Sequence, residues 1–189
     1  MKKILFILIA LVLLSLMYFV KVGNQIVVLD QGVKAGLSQV DNVYQRRADL
    51  IPNLVSTVKG YAKHESSVLE EVTKARASVG QVKIESANDI PKYQKAQGEL
   101  SSALSRLLVV AENYPQLKAN ENFRDLQAQI EGTENRIAVE RKRSNDAIQA
   151  YNSYIKLFPQ SFIAGMKGAK EYPYFVTETQ NKTVPKVEF

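Results

Sequence analysis

The sequence predicts an all-α protein, with an N-terminal transmembrane helix followed by an elongated antiparallel helical bundle, four-helix and coiled-coil-like. Three observations carry this. Ile4 to Val20 contains no charged residue, long enough at 1.5 Å per residue to cover ~26 Å of bilayer. From Val33 onward, core-type residues recur at alternating steps of four and three, the spacing of a helical seam. Prolines and a polar break then cut the chain into helix-length pieces.

The apolar run opens after Met1-Lys2-Lys3 and closes at Lys21. A cleaved signal peptide begins in the same way, but the run ends Met17-Tyr18-Phe19-Val20-Lys21 without a small-x-small cleavage site. With no cysteine in the chain, a lipid-modified anchor, disulfides and thiolate metal sites are excluded. The reading is an uncleaved signal-anchor over residues 1–23, a bundle over 24–170 and an extended tail over 171–189. The positive-inside rule favours a cytoplasmic N-terminus, with the bulk of the chain on the far side.

The first bundle seam reads Val33, Leu37, Val40, Tyr44, Arg47, Ile51, Leu54, Val58, Tyr61, Glu65, Val68, Val72, Ala75 and Val79. Its polar members, Arg47 and Glu65, need buried partners or a wet groove. Within it, RRADLIPNLV (Arg46 to Val55) reads as a register lock with a proline-marked bend. Pro52 leaves two readings open. The chain turns back near Ala48 with Asp49 as N-cap, or the helix runs through and is kinked.

Gly80 to Asn88 reads as a loop, with Asn88 or Asp89 capping the next helix. That helix carries Tyr93, Leu100, Leu104, Leu107, Ala111 and Tyr114 on its seam and stops at Pro115. The last long helix uses Phe123, Leu126, Ile130, Thr133, Ile137, Arg141, Ser144, Ile148, Tyr151, Ile155 and Phe158, with a stutter at Thr133, Ile137 and Arg141. Pro159 ends it. Phe162, Ile163 and Met166 suggest a short amphipathic turn, and the two prolines and the aromatics beyond Glu171 suggest extended cover.

A net charge of +6 comes from 25 basic residues interspersed with 19 acidic ones, which describes a mixed solvated surface. Arg46-Arg47 and Arg141-Lys142-Arg143 have acidic neighbours, and no aromatics interleave them, which argues against nucleic-acid binding. His64, the only histidine, lacks companions at metal-ligating spacing and reads as a partly buried or surface residue near a helix middle. No acid–base pair or phosphate-cradling loop stands out, so no cofactor, metal or catalytic residue is expected. The remaining signal is a polar set assigned to inner helix faces. Arg46, Arg47, Asp49, Asn53, Glu65 and Arg76 form one side; Glu134, Asn135, Arg136, Arg141 and Asn145 form the other. It reads either as an ion-pair network fixing register or as a groove for a partner's helix or peptide. Asn135 and Asn152 are expected to bond across the bundle.

These residues closely resemble the LemA family of bacterial membrane proteins over nearly the whole chain. The matching runs are YQRRADLIPNLVSTVKGYAKHE (Tyr44 to Glu65), Ala75-Arg76, ENYPQLKANENF (Glu112 to Phe123), LQAQIEGTENRIAVER (Leu126 to Arg141), Tyr151-Asn152 and Phe158-Pro159. The resemblance implies a single-pass protein of the bacterial inner (plasma) membrane with an antiparallel helical domain. One branch of the family is associated with magnetosome membranes, which implies a membrane-organising role. The expectation is a non-catalytic scaffold or adaptor of the cell envelope, forming a homo-oligomer or binding an envelope partner. The rival is a small-ligand sensor or enzyme that uses the polar seam as a pocket. Two positions depart from the family pattern: Leu37 stands where members often carry Trp, and Ser144 where many carry Tyr. The volume lost at Leu37 predicts closer helix packing at that level, and Ser144 removes any role of an aromatic at its seam position.

Overall fold

The computed structural model describes residues 2–62, 64–84 and 87–176. It is all-helical, with no strand among the described residues. The helices are α1 (Lys2–Tyr61), α2 (Ser66–Gln81), α3 (Ile90–Ala111), α4 (Pro115–Lys118), α5 (Glu121–Lys156) and α6 (Gln160–Met166), with a 3-10 turn at Ala87–Asp89 before α3. Residues 171–176 are non-helical, and the rest of the predicted tail, 177–189, lies outside the described residues.

One helix of 60 residues carries both the apolar run and the first bundle seam, a rod of ~90 Å. Val33, Leu37, Val40, Tyr44, Arg47, Ile51, Leu54 and Val58 are all buried on it, as the heptad spacing requires. The helix runs through Pro52 rather than turning back near Ala48. A proline inside a helix leaves the carbonyl four residues earlier without its donor. Here that carbonyl belongs to Ala48, and Arg76 Nε of α2 donates to it at 3.0 Å. The seam itself stops at Tyr61. The expected core position Tyr61 is exposed, Glu65 is half-buried, and His64 lies exposed in the turn between α1 and α2 rather than near a helix middle. Periodicity alone overran this break because the phase resumes on α2 from Val72, Ala75 and Val79, which are buried, while the expected Val68 is half-buried and Leu69 takes its place in the core.

α1 and α5 are antiparallel in a steady register. Tyr61 Oη accepts from Asn120 Nδ2 at 3.0 Å, Arg47 meets Glu134, and Gly36 faces Ser144. A Cβ at Gly36 would stand 3.2 Å from Ser144 Cα, so the two backbones approach closely where α1 carries this glycine. α2 and α3 form a hairpin tied by Arg106 to Glu71 at 2.8 Å. This hairpin lies mainly along the half of the rod distant from the apolar run, where four helices share one core, and its open end sends Ile90 and Tyr93 into the other half. That core includes Leu54, Val72, Leu100, Leu107, Phe123 and Ile130.

The proximal half is assembled differently. α5 ends at Lys156, short of Pro159, and Phe158 is 88% exposed rather than a core residue. α6 turns the chain under α1, and a Schellman motif closes it: Gly168 N–H bonds Gly165 C=O and Ala169 N–H bonds Ala164 C=O. Gly168 takes φ +67°, which this motif needs. The chain then climbs back along α5. Tyr172 and Phe175 pack with Val33, Tyr44, Tyr93, Ile148 and Tyr151 in a second core.

Candidate functional site

Polar chemistry gathers at mid-height, where the hairpin ends and the returning tail begins. Arg47 is the most confined charge, with its side chain 1% exposed. Its Nη1 donates to Ser101 Oγ at 2.9 Å and Glu134 Oε2 at 2.5 Å, and its Nη2 to Gln97 Oε1 at 2.8 Å. The guanidinium also lies 5.1 Å from the Tyr44 ring centroid, within cation–π range. Arg47 Nε and Gln97 Nε2 are buried without a hydrogen-bond partner. The carboxylate of Glu134 is 58% exposed, so the pair joins a buried cation to a solvated anion. Such a pair fixes register more than it adds stability.

Two phenol–carboxylate pins lie on the side of it nearer the apolar run. Tyr93 Oη donates to Asp41 Oδ1 at 2.6 Å, and Tyr172 Oη to Asp30 Oδ1 at 2.8 Å. Asp30 also pairs with Lys34 at 2.8 Å. Burial, then the hydrogen bond to its carboxylate, pushes each phenol well above the ordinary tyrosine range. Both therefore stay protonated donors, acting as clamps rather than bases.

Three carboxamides hold the returning tail, each bonding the N–H and C=O of one tail residue. Asn152 takes Tyr172 at 3.0 and 2.8 Å, and Asn145 takes Phe175 at 2.8 and 2.9 Å. Gln94 takes Val176, whose carbonyl also accepts from Arg141. Asn145 and Asn152 are two helical turns apart, ~10.5 Å at 1.5 Å per residue. Three extended residues, Tyr172 to Phe175, cover ~10 Å. The match lets side-chain amides replace a neighbouring strand.

On the other side of α1 from Arg47, an open groove of about 710 Å³ runs between α1, the end of α2 and residues 82–84, with Tyr93 and Tyr172 at its wall. Lys34, Asp41, Asp49, Arg76 and Lys83 give it charges of both signs. Arg46, Asp49 and Arg136 line a shallower concavity of about 480 Å³ beside it.

The expected inner-face polar set is therefore corrected. Of its members, Arg47 alone is buried, while Glu65, Arg141 and Asn145 are half-buried. Arg46, Asp49, Asn53, Arg76, Glu134, Asn135 and Arg136 are exposed. Glu65 accepts from Tyr114 Oη at 3.1 Å near the far end of the rod, and Arg141 stacks 5.8 Å from the Phe175 ring centroid, so the two share no site. Asn152 bonds the tail rather than crossing the bundle. Pro115 starts α4, and Pro159 stands at the N-cap of α6. Sequence reasoning missed Gln97 and Ser101, the partners of Arg47, and the roles of Asp30, Asp41 and Gln94. The heptad spacing of Asn145 and Asn152 was the available signal for the amide ladder.

The sequence profile of the LemA family matches residues 36–189. The chain is similar to a magnetosome protein MamQ of Magnetospirillum gryphiswaldense, 27% identical over 173 residues, covering 80% of this chain and 64% of that protein. The magnetosome protein MamQ 1 of Paramagnetospirillum magneticum is 25% identical over the same shares. Protein LemA of Metamycoplasma hominis is 22% identical over 165 residues, covering 86% of this chain and 74% of that protein. The chain thus spans 64% of the length of the magnetosome relatives.

Proposed function

The chain belongs to the LemA family, and on that premise we propose that it is a single-pass, non-catalytic scaffold or adaptor of the bacterial cell envelope. Residues 1–23 act as the anchor in the inner membrane, 24–170 as the working domain and 171–189 as its covering tail. The bulk of the chain lies on the extracytoplasmic side. One observation carries the reading: α1 is unbroken from Lys2 to Tyr61. An anchor continuous with the first bundle helix transmits orientation, so the domain stands as a rod instead of swinging on a linker. The magnetosome names of two relatives support a membrane-organising version of this role.

The groove bounded by Asp49 and Arg76 is the surface we assign to the partner, which is a second copy or another envelope protein. Photo-cross-linking from Asn42, which lines the groove, in intact membranes tests this. Adducts of protein mass are expected, whereas capture of lipid alone overturns it. Protease access to the tail in spheroplasts checks sidedness independently. A small-ligand sensor or enzyme is the second reading, favoured by the groove volume, which lies in the range of small-molecule sites. A small molecule that co-purifies with the protein in native mass spectrometry and is released by exhaustive dialysis argues for the ligand; a groove that yields protein adducts and no such molecule argues for the scaffold.

A further inference from the structure

The elbow between α5 and α6 carries an apolar surface that the fold leaves uncovered. Leu157 is 57% exposed, Phe158 88%, Phe162 70% and Met166 64%. On α6 the inward residues are Ile163 and Ala164, both buried, while Phe162 and Met166, one turn apart, face outward together. Scattered surface apolar residues need no explanation, but a cluster with two phenylalanines does.

Its position supplies one. Ile155, Ile163 and Ala164 pack with Val22 and Ile26 of α1, and Phe19 joins the same cluster. A Cβ at Gly23 would lie 2.8 Å from Lys167 Cε. The elbow therefore sits about three residues, ~4.5 Å along the helix axis, beyond Val20, where the apolar run ends. The headgroup zone on each side of a bilayer is deeper than that, at roughly 5–7 Å. The run itself covers ~26 Å, less than the ~30 Å hydrocarbon core. A short span draws its flanking residues toward the membrane. Lys21, Lys167 and Lys170 are exposed around the same level, placed to meet anionic headgroups while the aromatics lie deeper.

We propose that the α5–α6 elbow is a second membrane contact, inserting Leu157, Phe158, Phe162 and Met166 into the leaflet from which α1 emerges. It rests on the anchor reading above and extends it. The protein touches the bilayer at two points, and the second fixes the tilt and rotation of the rod about its anchor.

The chain contains no tryptophan, so single-tryptophan variants of the full-length protein report position cleanly. Phe158→Trp, Leu14→Trp in the anchor and Val109→Trp, an exposed site on α3, are compared in phosphatidylcholine–phosphatidylglycerol vesicles with brominated acyl chains. The expected result is a blue-shifted Phe158→Trp emission, quenched several-fold more than that of Val109→Trp. A solvent-like, unquenched Phe158→Trp beside a quenched Leu14→Trp overturns the elbow contact and leaves the anchor standing. A blue shift without lipid quenching means that protein, a second copy, covers the elbow, and also overturns it. An unquenched Leu14→Trp removes the anchor reading and this inference together.

Discussion

The two halves of the rod solve the same packing problem by different means. In the distal half four helices converge, and the core is aliphatic, with Leu54, Val58, Val72, Leu100 and Leu107 among its buried members. In the proximal half the hairpin contributes only its open end, Ile90 and Tyr93, so α1 and α5 are otherwise covered by α6 and a returning segment without helical hydrogen bonds. Its core is rich in tyrosine, with Tyr44 against Tyr93 at 5.5 Å and Tyr151 against Tyr172 at 5.4 Å between ring centroids. Its backbone groups are satisfied by side-chain amides. A helix brings its own hydrogen bonds and asks its neighbours only for apolar contact. An extended segment must be given partners. Asn145, Asn152 and Gln94 stand where that demand arises.

The sharpest break in the comparison comes from a cavity in the distal core. Leu54→Ala should lower stability by about 2–5 kcal/mol, read as a drop in urea midpoint with unchanged slope. A loss below 1 kcal/mol would mean that the four-helix core is loosely packed. Asn152→Ala should take about 1–3 kcal/mol, since it strands the N–H and C=O of Tyr172. Its signature is local, with faster amide exchange near Tyr172 and none at Leu100. Equal exchange in both halves would dissolve the distinction between them.

At mid-height, Arg76→Ala should cost about 0.5–1.5 kcal/mol by removing the donor to Ala48 C=O. In a Pro52→Ala background, where the helix supplies that donor, the same change should cost less. A double-mutant cycle with no coupling would show that Arg76 does not serve the proline-freed carbonyl. The smallest effect appears only in alkali. Tyr93 and Tyr172 are raised above the ordinary 10.0, so the unfolded chain ionises first. Stability is intact below pH 10 and declines as pH rises through and above it. The Tyr93→Phe/Tyr172→Phe variant should show a flatter decline; an identical slope would detach the pins from the proximal core.

Arg47 shows how far the sequence reached. Heptad phase placed a guanidinium at a core position, and the side chain is buried there. Phase could not name Gln97 and Ser101, because a register between α1 and α3 is not a property of either helix. The opposite failure came from grouping residues by neighbourhood. Arg46 and Asp49 adjoin Arg47 in the chain, but a helix turns about 100° per residue, which carries them to solvent. Phe158 was assigned to the core by continuing a period past the point where the helix had ended.

The sequence by itself determined the apolar N-terminal run, the helical class, most seam positions and the family. These follow from local composition and periodicity, which each segment carries alone. Tertiary structure alone decided that α1 runs through Pro52, since a residue on another helix replaces the lost donor. It also decided that the tail climbs an amide ladder and that the apolar elbow stands beside the end of the apolar N-terminal run. Each joins groups far apart in the chain, and only the folded register sets the distances between them.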